Sequence, residues 1–291
     1  MTGVISSKIQ KTKNQNDLDI VETIVFPIFS KETEQDIHYW KEIRSLMMKA
    51  LKEAHVNSVR RKVFWTYVNR KITKGIKKGK RLSQIEAEIR TFLKRHMDEE
   101  QDRTKNTLER GKRSFEKVKD YVIGEKVLDL GAGDGLLALE IKERLGKEVF
   151  LVDVVDYNYT DLPLLLYNQG DKVPLGDQEV DTTIIFVVLH HANNPLHLLK
   201  EAARVTKKRL VILEGYIEDE DIRITNCFMD WFYNRIIRGA DINIPLNFLK
   251  LKEWEKELNN YGFNVIETKY IGIDEPIVPE YHVFIIAERE Q

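Results

Sequence analysis

The feature of this sequence that most constrains its fold is a glycine-rich segment placed directly after an apolar stretch. Residues 127–130 read Val-Leu-Asp-Leu, residues 131–135 read Gly-Ala-Gly-Asp-Gly, and an apolar helical pattern begins at Leu136. Glycine allows the tight turn of a strand-to-helix connection and lets a ligand approach the backbone without meeting a Cβ atom. Ligands of open parallel sheets bind beyond the carboxyl ends of the strands. We therefore predict a ligand site at residues 131–135.

From Lys126 onward, stretches rich in Val, Ile and Leu alternate with helical patterns. Such alternation is typical of a parallel sheet covered by helices on both faces. We predict strands at Lys126–Leu130, Glu148–Asp153, Asp181–Val188, Arg209–Glu214, Asn264–Tyr270 and Tyr281–Glu288, and helices at 134–145, 161–168, 195–206, 220–238 and 252–261. The last two strands are joined without a helical pattern between them, which favours an antiparallel pair.

The N-terminal part of the chain differs, because its apolar residues recur at helical spacing. Helices are predicted at 40–54, at 63–72 with Val63 inward, at 83–93, and from about Asp98 to Val122 with Leu108 inward. Ser83 and Glu86 form a capping box that opens the third of these helices. We predict a flexible tail at 1–17, a helical N-terminal or cap domain at 18–122, and a ligand-binding sheet domain at 123–291.

Composition excludes several classes of protein. The 291 residues include one cysteine, Cys227, which rules out an internal disulfide and a cysteine-based zinc site. The polar N-terminus lacks the apolar core of a secretory signal, and no apolar run approaches the roughly 18 residues of a membrane span. We expect a cytoplasmic protein with no transmembrane segment and no metal.

The cofactor that fits the glycine segment carries no phosphate. Dinucleotide-binding loops require a third glycine at the position that Leu136 takes here. Asp129, on the first strand, is placed to hold an ammonium group directly or through water. Asp153 ends the second strand, where an acid accepts hydrogen bonds from both ribose hydroxyls of an adenosine. Val154 can then pack against the adenine, and Asp156, beyond the strand end, is a weaker candidate.

These residues resemble those of the class I S-adenosylmethionine-dependent methyltransferases. The chain is similar to a subgroup with Leu-Pro-Phe, Phe-Asp and Leu-His-His motifs, and to its bacterial members with Phe-Met-Asp-Trp. The matching residues are Val173-Pro174-Leu175, Val180-Asp181, Leu189-His190-His191 and Phe228-Met229-Asp230-Trp231. The Pro-Gly-Gly turn of that subgroup is replaced by Lys207-Lys208-Arg209. The resemblance covers Glu125 to Arg289 and does not reach residues 1–100.

The resemblance implies an α/β fold, a Rossmann-like seven-stranded sheet with its last strand antiparallel, here preceded by an all-helical N-terminal domain. It implies methyl transfer from S-adenosyl-L-methionine, and it places Asp171, Lys172 and Val188 beside that cofactor. The predicted cofactor-binding residues are Asp129, Gly131, Ala132, Gly133, Gly135, Asp153, Val154, Asp171, Lys172 and Val188.

Methyl transfer needs mainly an aligned acceptor, and sometimes a base that removes its proton. His190 and His191 follow the fourth strand and are the candidate catalytic residues, with a structural role at the pocket rim as the alternative. Asp230 and Asn234 share one face of an aromatic-rich helix, at i and i+4. This pair is predicted to bind a small or lipid-like acceptor, and an ordinary packed helix is the alternative.

A basic segment at residues 60–81 leaves a second function open. No Asp or Glu lies between Glu53 and Glu86, while the segment carries ten Lys and Arg residues. Such a cluster can contact the phosphates of nucleic acid or an anionic membrane surface, although a solvated basic face is the default that we favour. Alternative functions are therefore a methyltransferase acting on RNA or protein, and a non-catalytic protein that binds S-adenosylmethionine.

Overall fold

The computed structural model describes residues 18–53, 57–96, 100–237, 244–273 and 279–290. The chain forms two compact units. The helical unit contains the described residues up to 102, those of 219–246 and those of 273–281. The sheet unit contains the described residues of 103–218, 247–272 and 282–291. The division that we predict from the sequence, at residue 122, stays a prediction.

The helical unit is built on amphipathic helices whose apolar faces meet in one core. Its helices are α1 (18–30), α2 (Glu34–Glu53), α3 (Ser58–Lys77), α4 (Leu82–His96) and α8 (Glu220–Trp231), which continues as a π-helix at Phe232–Ile237. Aromatic rings fill the centre: Phe228 stacks on Phe29 and on Phe232, and Phe232 meets Phe64 edge to face. None of the helices in the described part of the chain is long and apolar enough to cross a membrane.

The sheet unit has seven strands, in the order β3-β2-β1-β4-β5-β7-β6. They are β1 (Lys126–Leu130), β2 (Glu148–Asp153), β3 (Leu164–Leu166), β4 (Val180–Phe186), β5 (Thr206–Gly215), β6 (Phe263–Ile273) and β7 (Tyr281–Arg289). The first five pair in parallel, and β7 runs antiparallel to β5. The accompanying helices are α5 (Glu100–Val118), α6 (Leu136–Leu145), α7 (Pro195–Val205) and α9 (Leu251–Asn260). The sequence-based prediction of a Rossmann-like sheet with an antiparallel last strand is confirmed.

The predicted helix at 161–168 is wrong, because this segment contains the short strand β3. Leu164, Leu165 and Leu166 pair with Leu151, Val152 and Asp153 of β2. Leucine favours helices in isolation, but an open strand edge offers backbone partners that such a short helix would lack. Tertiary pairing therefore decides the conformation here.

Two details of the helical predictions are also wrong. Val63 and Leu108 were expected to point inward, yet they are 56% and 49% exposed. The capping box at Ser83 does not form at the start of α4, because the helix already begins at Leu82. Instead, the side chain of Gln84 accepts the backbone N–H of Arg81 at 3.1 Å.

Glu86 is free of the predicted cap and lies in the core of the helical unit, where it is 3% exposed. Its carboxylate accepts Trp231 Nε1–H at 3.0 Å and two N–H groups of Arg235, at 3.0 and 2.9 Å. These bonds join α4 to the end of α8 and the π-helix. A buried charge is tolerated in such a position because it is paired and hydrogen-bonded.

We predict that Glu86→Gln destabilises the protein by about 3 kcal/mol, because it removes the negative partner of a buried arginine. Glu88→Gln is the matched control on the same helix: Glu88 is half exposed, and surface pairs contribute about 1 kcal/mol or less. Urea unfolding at pH 7 measures both. Equal losses for the two variants would contradict a buried role for Glu86.

Candidate functional site

The glycine segment forms a tight loop between β1 and α6. Gly131, Gly133 and Gly135 have φ angles of +77°, +55° and +74°, in the left-handed region that glycine tolerates best. A Cβ atom on Gly131 would lie 2.5 Å from Val188 Cγ2, and one on Gly135 would lie 2.4 Å from Asn158 Oδ1. A Cβ on Gly133 would meet one atom, Gly131 O, at 4.0 Å. The loop is therefore tightly packed at both ends and open at its centre.

Asp153 faces this loop from the end of β2. Its Oδ2 accepts the N–H of Gly133 at 2.8 Å, and its Oδ1 accepts the N–H of Val154 at 2.6 Å. The backbone N–H groups of Gly131 and Ala132 both donate to the carbonyl oxygen of Val152, at 2.8 and 3.2 Å. The bonds of Gly131, Ala132 and Gly133 hold the loop against the carboxyl end of β2, and the bond of Val154 orients the Asp153 carboxylate.

Asp129 lies behind the loop with one carboxylate oxygen lacking a partner. The residue is buried, and among the described residues nothing donates a hydrogen bond to its Oδ2. Burial raises the pKa of Asp129 to about 7, and the negative charges of Asp134 and Asp153 raise it further. The hydrogen bond from the Ala138 N–H and the positive charge of Arg110 act in the opposite direction. An unpaired buried oxygen is costly. A cationic group at Oδ2 would supply the missing partner and favour the charged carboxylate.

The N-terminus of α6 is already occupied by a carboxylate. Asp134 Oδ1 accepts the N–H of Leu136 at 3.1 Å, where a negative charge complements the helix dipole. Leu136 is buried, and its Cβ lies 2.6 Å from where a Cβ on Gly111 of α5 would stand. A helix start filled in this way leaves no place for the pyrophosphate of a dinucleotide.

On the other side of the loop, the chain leaves β4 through a strained residue. Val187 has a φ of +57°, which costs a β-branched residue about 1–3 kcal/mol. Its N–H donates to Leu213 O at 2.7 Å. The next residue, Val188, presses its side chain against Gly131. Residues Leu189–His191 then form a 3₁₀ turn.

Glu214, at the end of β5, holds that turn in place. Its carboxylate accepts the N–H groups of Val188 and Leu189 at 3.1 and 2.8 Å, and it bonds His190 Nδ1. Burial alone would raise the pKa of Glu214, but the charge and hydrogen bond of His190 and the backbone donors outweigh it and lower the pKa. No local pattern in the sequence identifies these partners of Glu214.

The two candidate catalytic histidines differ in their surroundings. His190 is completely buried: the Phe248 ring stacks on it at 4.5 Å between centroids, and the His191 ring lies at 4.1 Å. His191 is half-buried. Glu214 and Phe248 thus fix the ring of His190, and the catalytic roles of both histidines stay predictions.

Val154, Asp171 and Lys172 are exposed side chains. Asp171 Oδ2 accepts an N–H of Asn168 at 3.0 Å, and its carbonyl oxygen lies 3.4 Å from His197 Nε2. The structure therefore joins Asp153, the glycine loop and Val188 through direct contacts. Asp129, whose pKa is raised by burial, lies near enough for the charges of Asp134 and Asp153 to raise that pKa further. The contacts of Asp171 run instead to its own turn and to α7, so its predicted role at the adenine stays a prediction.

Two residues of α7 that the sequence analysis gave no role organise the segment after Lys172. Glu201 Oε2 accepts the N–H of Val173 at 3.0 Å. Arg204 pairs with Glu201 at 2.7 Å and donates to the carbonyl oxygens of Val173 and Leu175, each at 2.9 Å. A Glu and an Arg three residues apart on a helix gave no signal that distinguished them from an ordinary surface pair.

Asp181, in the Val-Asp motif, is a structural clamp at the start of β4. Its Oδ2 accepts the N–H groups of Glu125 and Lys126 at 2.8 and 3.1 Å, and Lys208 Nζ lies 2.9 Å from Oδ1. Burial opposes ionisation, but Lys208 and these donors lower the pKa to about 2. This motif residue therefore fastens β1 to β4 and takes no part in the glycine loop.

Asp230 and Asn234 lie in the helical unit and contact each other as their spacing predicts. Asn234 Nδ2 donates to Asp230 Oδ1 at 2.6 Å, and both residues are buried. The neighbouring rings Phe228, Trp231 and Phe232 are completely buried within the same unit. Acceptor binding by this pair stays a prediction.

The part of the chain that contains the glycine loop matches a known protein family. Residues 128–212, which run from β1 to β5, match a family model described as a methyltransferase domain. The match includes the glycine loop, Asp153 and the two histidines. The segment from β1 to β5 thus has the pattern of a methyltransferase domain.

Similar proteins match a larger part of the chain than the family model does. An uncharacterized protein of Methanocaldococcus jannaschii is 25% identical over 156 residues, 54% of this chain and 73% of that protein. An S-adenosylmethionine-dependent methyltransferase from Aquifex aeolicus is 22% identical, with a TM-score of 0.43, covering 60% of this chain and 89% of its own. Magnesium protoporphyrin IX methyltransferase from Synechocystis, with bound SAH, is 16% identical, with a TM-score of 0.44, covering 63% and 84%.

The raised pKa of Asp129 predicts a pH-dependent stability. The folded pKa is about 7 and the unfolded value is about 3.9. The protonated carboxyl therefore stabilises the fold at low pH, and this contribution is lost as pH rises through the folded pKa. Relative to wild type, Asp129→Asn should gain stability between pH 5 and 7, by up to about 1.4 kcal/mol per pH unit.

Urea unfolding at pH 5, 6, 7 and 8 measures this gain. Asp156→Asn, an exposed acid nearby, is the control and should follow the wild-type pH profile. Parallel profiles for Asp129→Asn and wild type would show that Asp129 does not titrate in this range.

Proposed function

We propose that this chain is an S-adenosyl-L-methionine-dependent methyltransferase. The observation that carries the proposal is the buried oxygen of Asp129, which lacks a donor behind a glycine loop with an open centre. An amino-acid ammonium group is the complement of that oxygen. The family match over residues 128–212 supports the same reading.

Each part of the site has a task in holding that cofactor. Asp129 accepts the ammonium group, and the open centre of the loop at Gly133 gives the amino-acid portion room. Asp153 accepts the ribose hydroxyls, since each carboxylate oxygen offers two lone-pair sites and Oδ2 uses one for Gly133. The exposed side chain of Val154 covers the adenine. By the resemblance, Asp171, Lys172 and Val188 complete the site together with Gly131, Ala132 and Gly135.

The cofactor supplies a methyl group on a sulfonium, which is already activated toward nucleophiles. The protein therefore needs to align the acceptor, exclude water and, for a hydroxyl acceptor, take up a proton. We assign the proton-accepting role to the half-buried His191, since a neutral imidazole is an effective base near pH 7. His190, fixed by Glu214, positions it.

The acceptor in this proposal is a small or lipid-like molecule. The support is the buried Asp230–Asn234 pair, whose carboxylate and amide suit the single polar group of such an acceptor. An RNA or protein acceptor would require exposed polar contacts instead. The aromatic rings themselves lend no support, because they pack in the core of the helical unit.

Cofactor binding is tested first. We predict that Asp153→Ala weakens S-adenosylmethionine binding by about 100-fold or more, since hydrogen bonds to a charged acceptor contribute about 1.5–3 kcal/mol each. Glu148→Ala, the control at the opposite and exposed end of β2, should bind like wild type. Isothermal titration calorimetry gives both affinities. Unchanged affinity in Asp153→Ala would refute the assignment of the site.

The acceptor class is tested by incubating the protein with methyl-labelled S-adenosylmethionine and separate pools of small molecules, lipids, RNA and protein. Label in the small-molecule or lipid pool is the expected result. Label in RNA or protein would overturn the proposed acceptor but leave the methyltransferase activity standing. Binding without label in any of the pools would indicate a non-catalytic binding protein.

A further inference from the structure

The helical unit contains a cationic cavity of its own. A cavity of about 370 Å³ opens between α3 and α4. Five cationic side chains line it: Arg70, Lys71, Lys74, Lys78 and Lys80. Its volume falls in the range of pockets for small molecules, about 300–1,000 Å³.

The cavity is lined by more cationic side chains than its own acidic residues can neutralise. Glu88 is the carboxylate among the lining residues; it bonds Lys71 Nζ at 2.9 Å and also pairs with Lys80. The hydrogen bonds of these two lysines hold the pKa of Glu88 at about 2, so it stays charged. Five cations against one carboxylate leave four positive charges.

Arg70 and Lys74 lie on α3, and Lys78 is the residue that caps its C-terminus. They are spaced at i, i+4 and i+8, which places about 12 Å of helix between the first and the last. All three are exposed, and none of them is paired with an acid of the described residues. Like charges at i, i+4 destabilise a helix by about 0.2–0.5 kcal/mol per pair. A bound anion would remove that repulsion.

The rest of the cavity wall is apolar and rigid. Gly75 allows close approach of the two helices, since a Cβ there would lie 2.4 Å from Ile85 Cδ1. The Tyr67 ring is stacked on Phe92 at 3.7 Å between centroids, and the Lys71 ammonium lies 5.6 Å from it. The cavity therefore combines a cationic rim with a fixed apolar wall.

We propose that this cavity binds a compact polyanion of the di- or triphosphate class, contacted by Arg70, Lys74 and Lys78. Four positive charges match the three to four negative charges of such a group better than the roughly two of a monophosphate. The apolar wall can receive an organic portion attached to the phosphates. This site is independent of the proposed methyl transfer.

A nucleic-acid strand and a membrane fit the same cations less well. Proteins that bind single strands stack bases on aromatic side chains, whereas Phe92 and Lys71 already engage the Tyr67 ring. A bilayer presents a broad surface, and these lysines surround a concave space. Both are nonetheless included in the test.

The test is isothermal titration calorimetry of the full-length protein with inorganic tripolyphosphate at low salt. We expect one site, and binding weaker by about ten-fold or more in Lys74→Ala/Lys78→Ala, as when charge-assisted contacts are lost. The matched control is Lys62→Ala/Lys77→Ala, which removes two exposed lysines of the same helix outside the cavity. Its affinity should fall clearly less than that of the cavity variant, because neither Lys62 nor Lys77 lines the cavity.

Three outcomes would overturn the proposal. Equal losses in the two double variants would mean a general charge effect. Binding of a single-stranded RNA oligomer or of phosphatidylserine vesicles, without binding of tripolyphosphate, would assign the cations to a macromolecular surface. Absence of tripolyphosphate binding to wild type would leave a solvated basic face. Titration of S-adenosylmethionine into the same variants checks that the glycine-loop site is unaffected.

Discussion

The candidate site depends on one constraint: the backbone between β1 and α6 must turn within five residues while it stays attached to the end of β2. The hydrogen bond from Gly133 N–H to Asp153, together with the two bonds to the carbonyl of Val152, provides that attachment. Three left-handed glycines make the turn sterically accessible, and the side chains of Val188 and Asn158 close in at its ends. Asp129, on β1 directly before this loop, is buried with one carboxylate oxygen that lacks a donor among the described residues.

The acidic residues described above differ in whether hydrogen-bond donors of the protein reach their carboxylate oxygens. Asp181, Glu201, Glu214 and Glu86 all accept several hydrogen bonds from the protein, and each fastens one segment to another. Asp129 is buried to a similar degree, yet one of its oxygens lacks a donor in the described part of the chain, and its pKa is raised. Perturbed carboxyls with unmet hydrogen-bonding capacity are more typical of ligand sites than of structural cores. This contrast supports the assignment of Asp129 to ligand binding.

Much of the sheet and of the loop could be predicted from sequence because local signals and tertiary structure agree there. β1 and β2 begin and end at the predicted residues, and the predicted Asp153 does face the glycine loop. The predictions that are wrong concern segments whose conformation depends on partners distant in the sequence. The leucines of β3 pair with the edge of β2. Glu86 accepts hydrogen bonds from Trp231 and Arg235 instead of forming the predicted helix cap. Neither partner lies close enough in sequence to leave a local pattern.

We propose that the free oxygen of Asp129 receives the ammonium group of the cofactor. This pairing is tested by titration of the Asp129 carboxyl carbon, followed by ¹³C NMR with and without S-adenosylhomocysteine. We expect a pKa near 7 in the free protein and a markedly lower pKa when the ammonium pairs with the carboxylate. Binding of S-adenosylhomocysteine without any change in that titration would rule out the pairing.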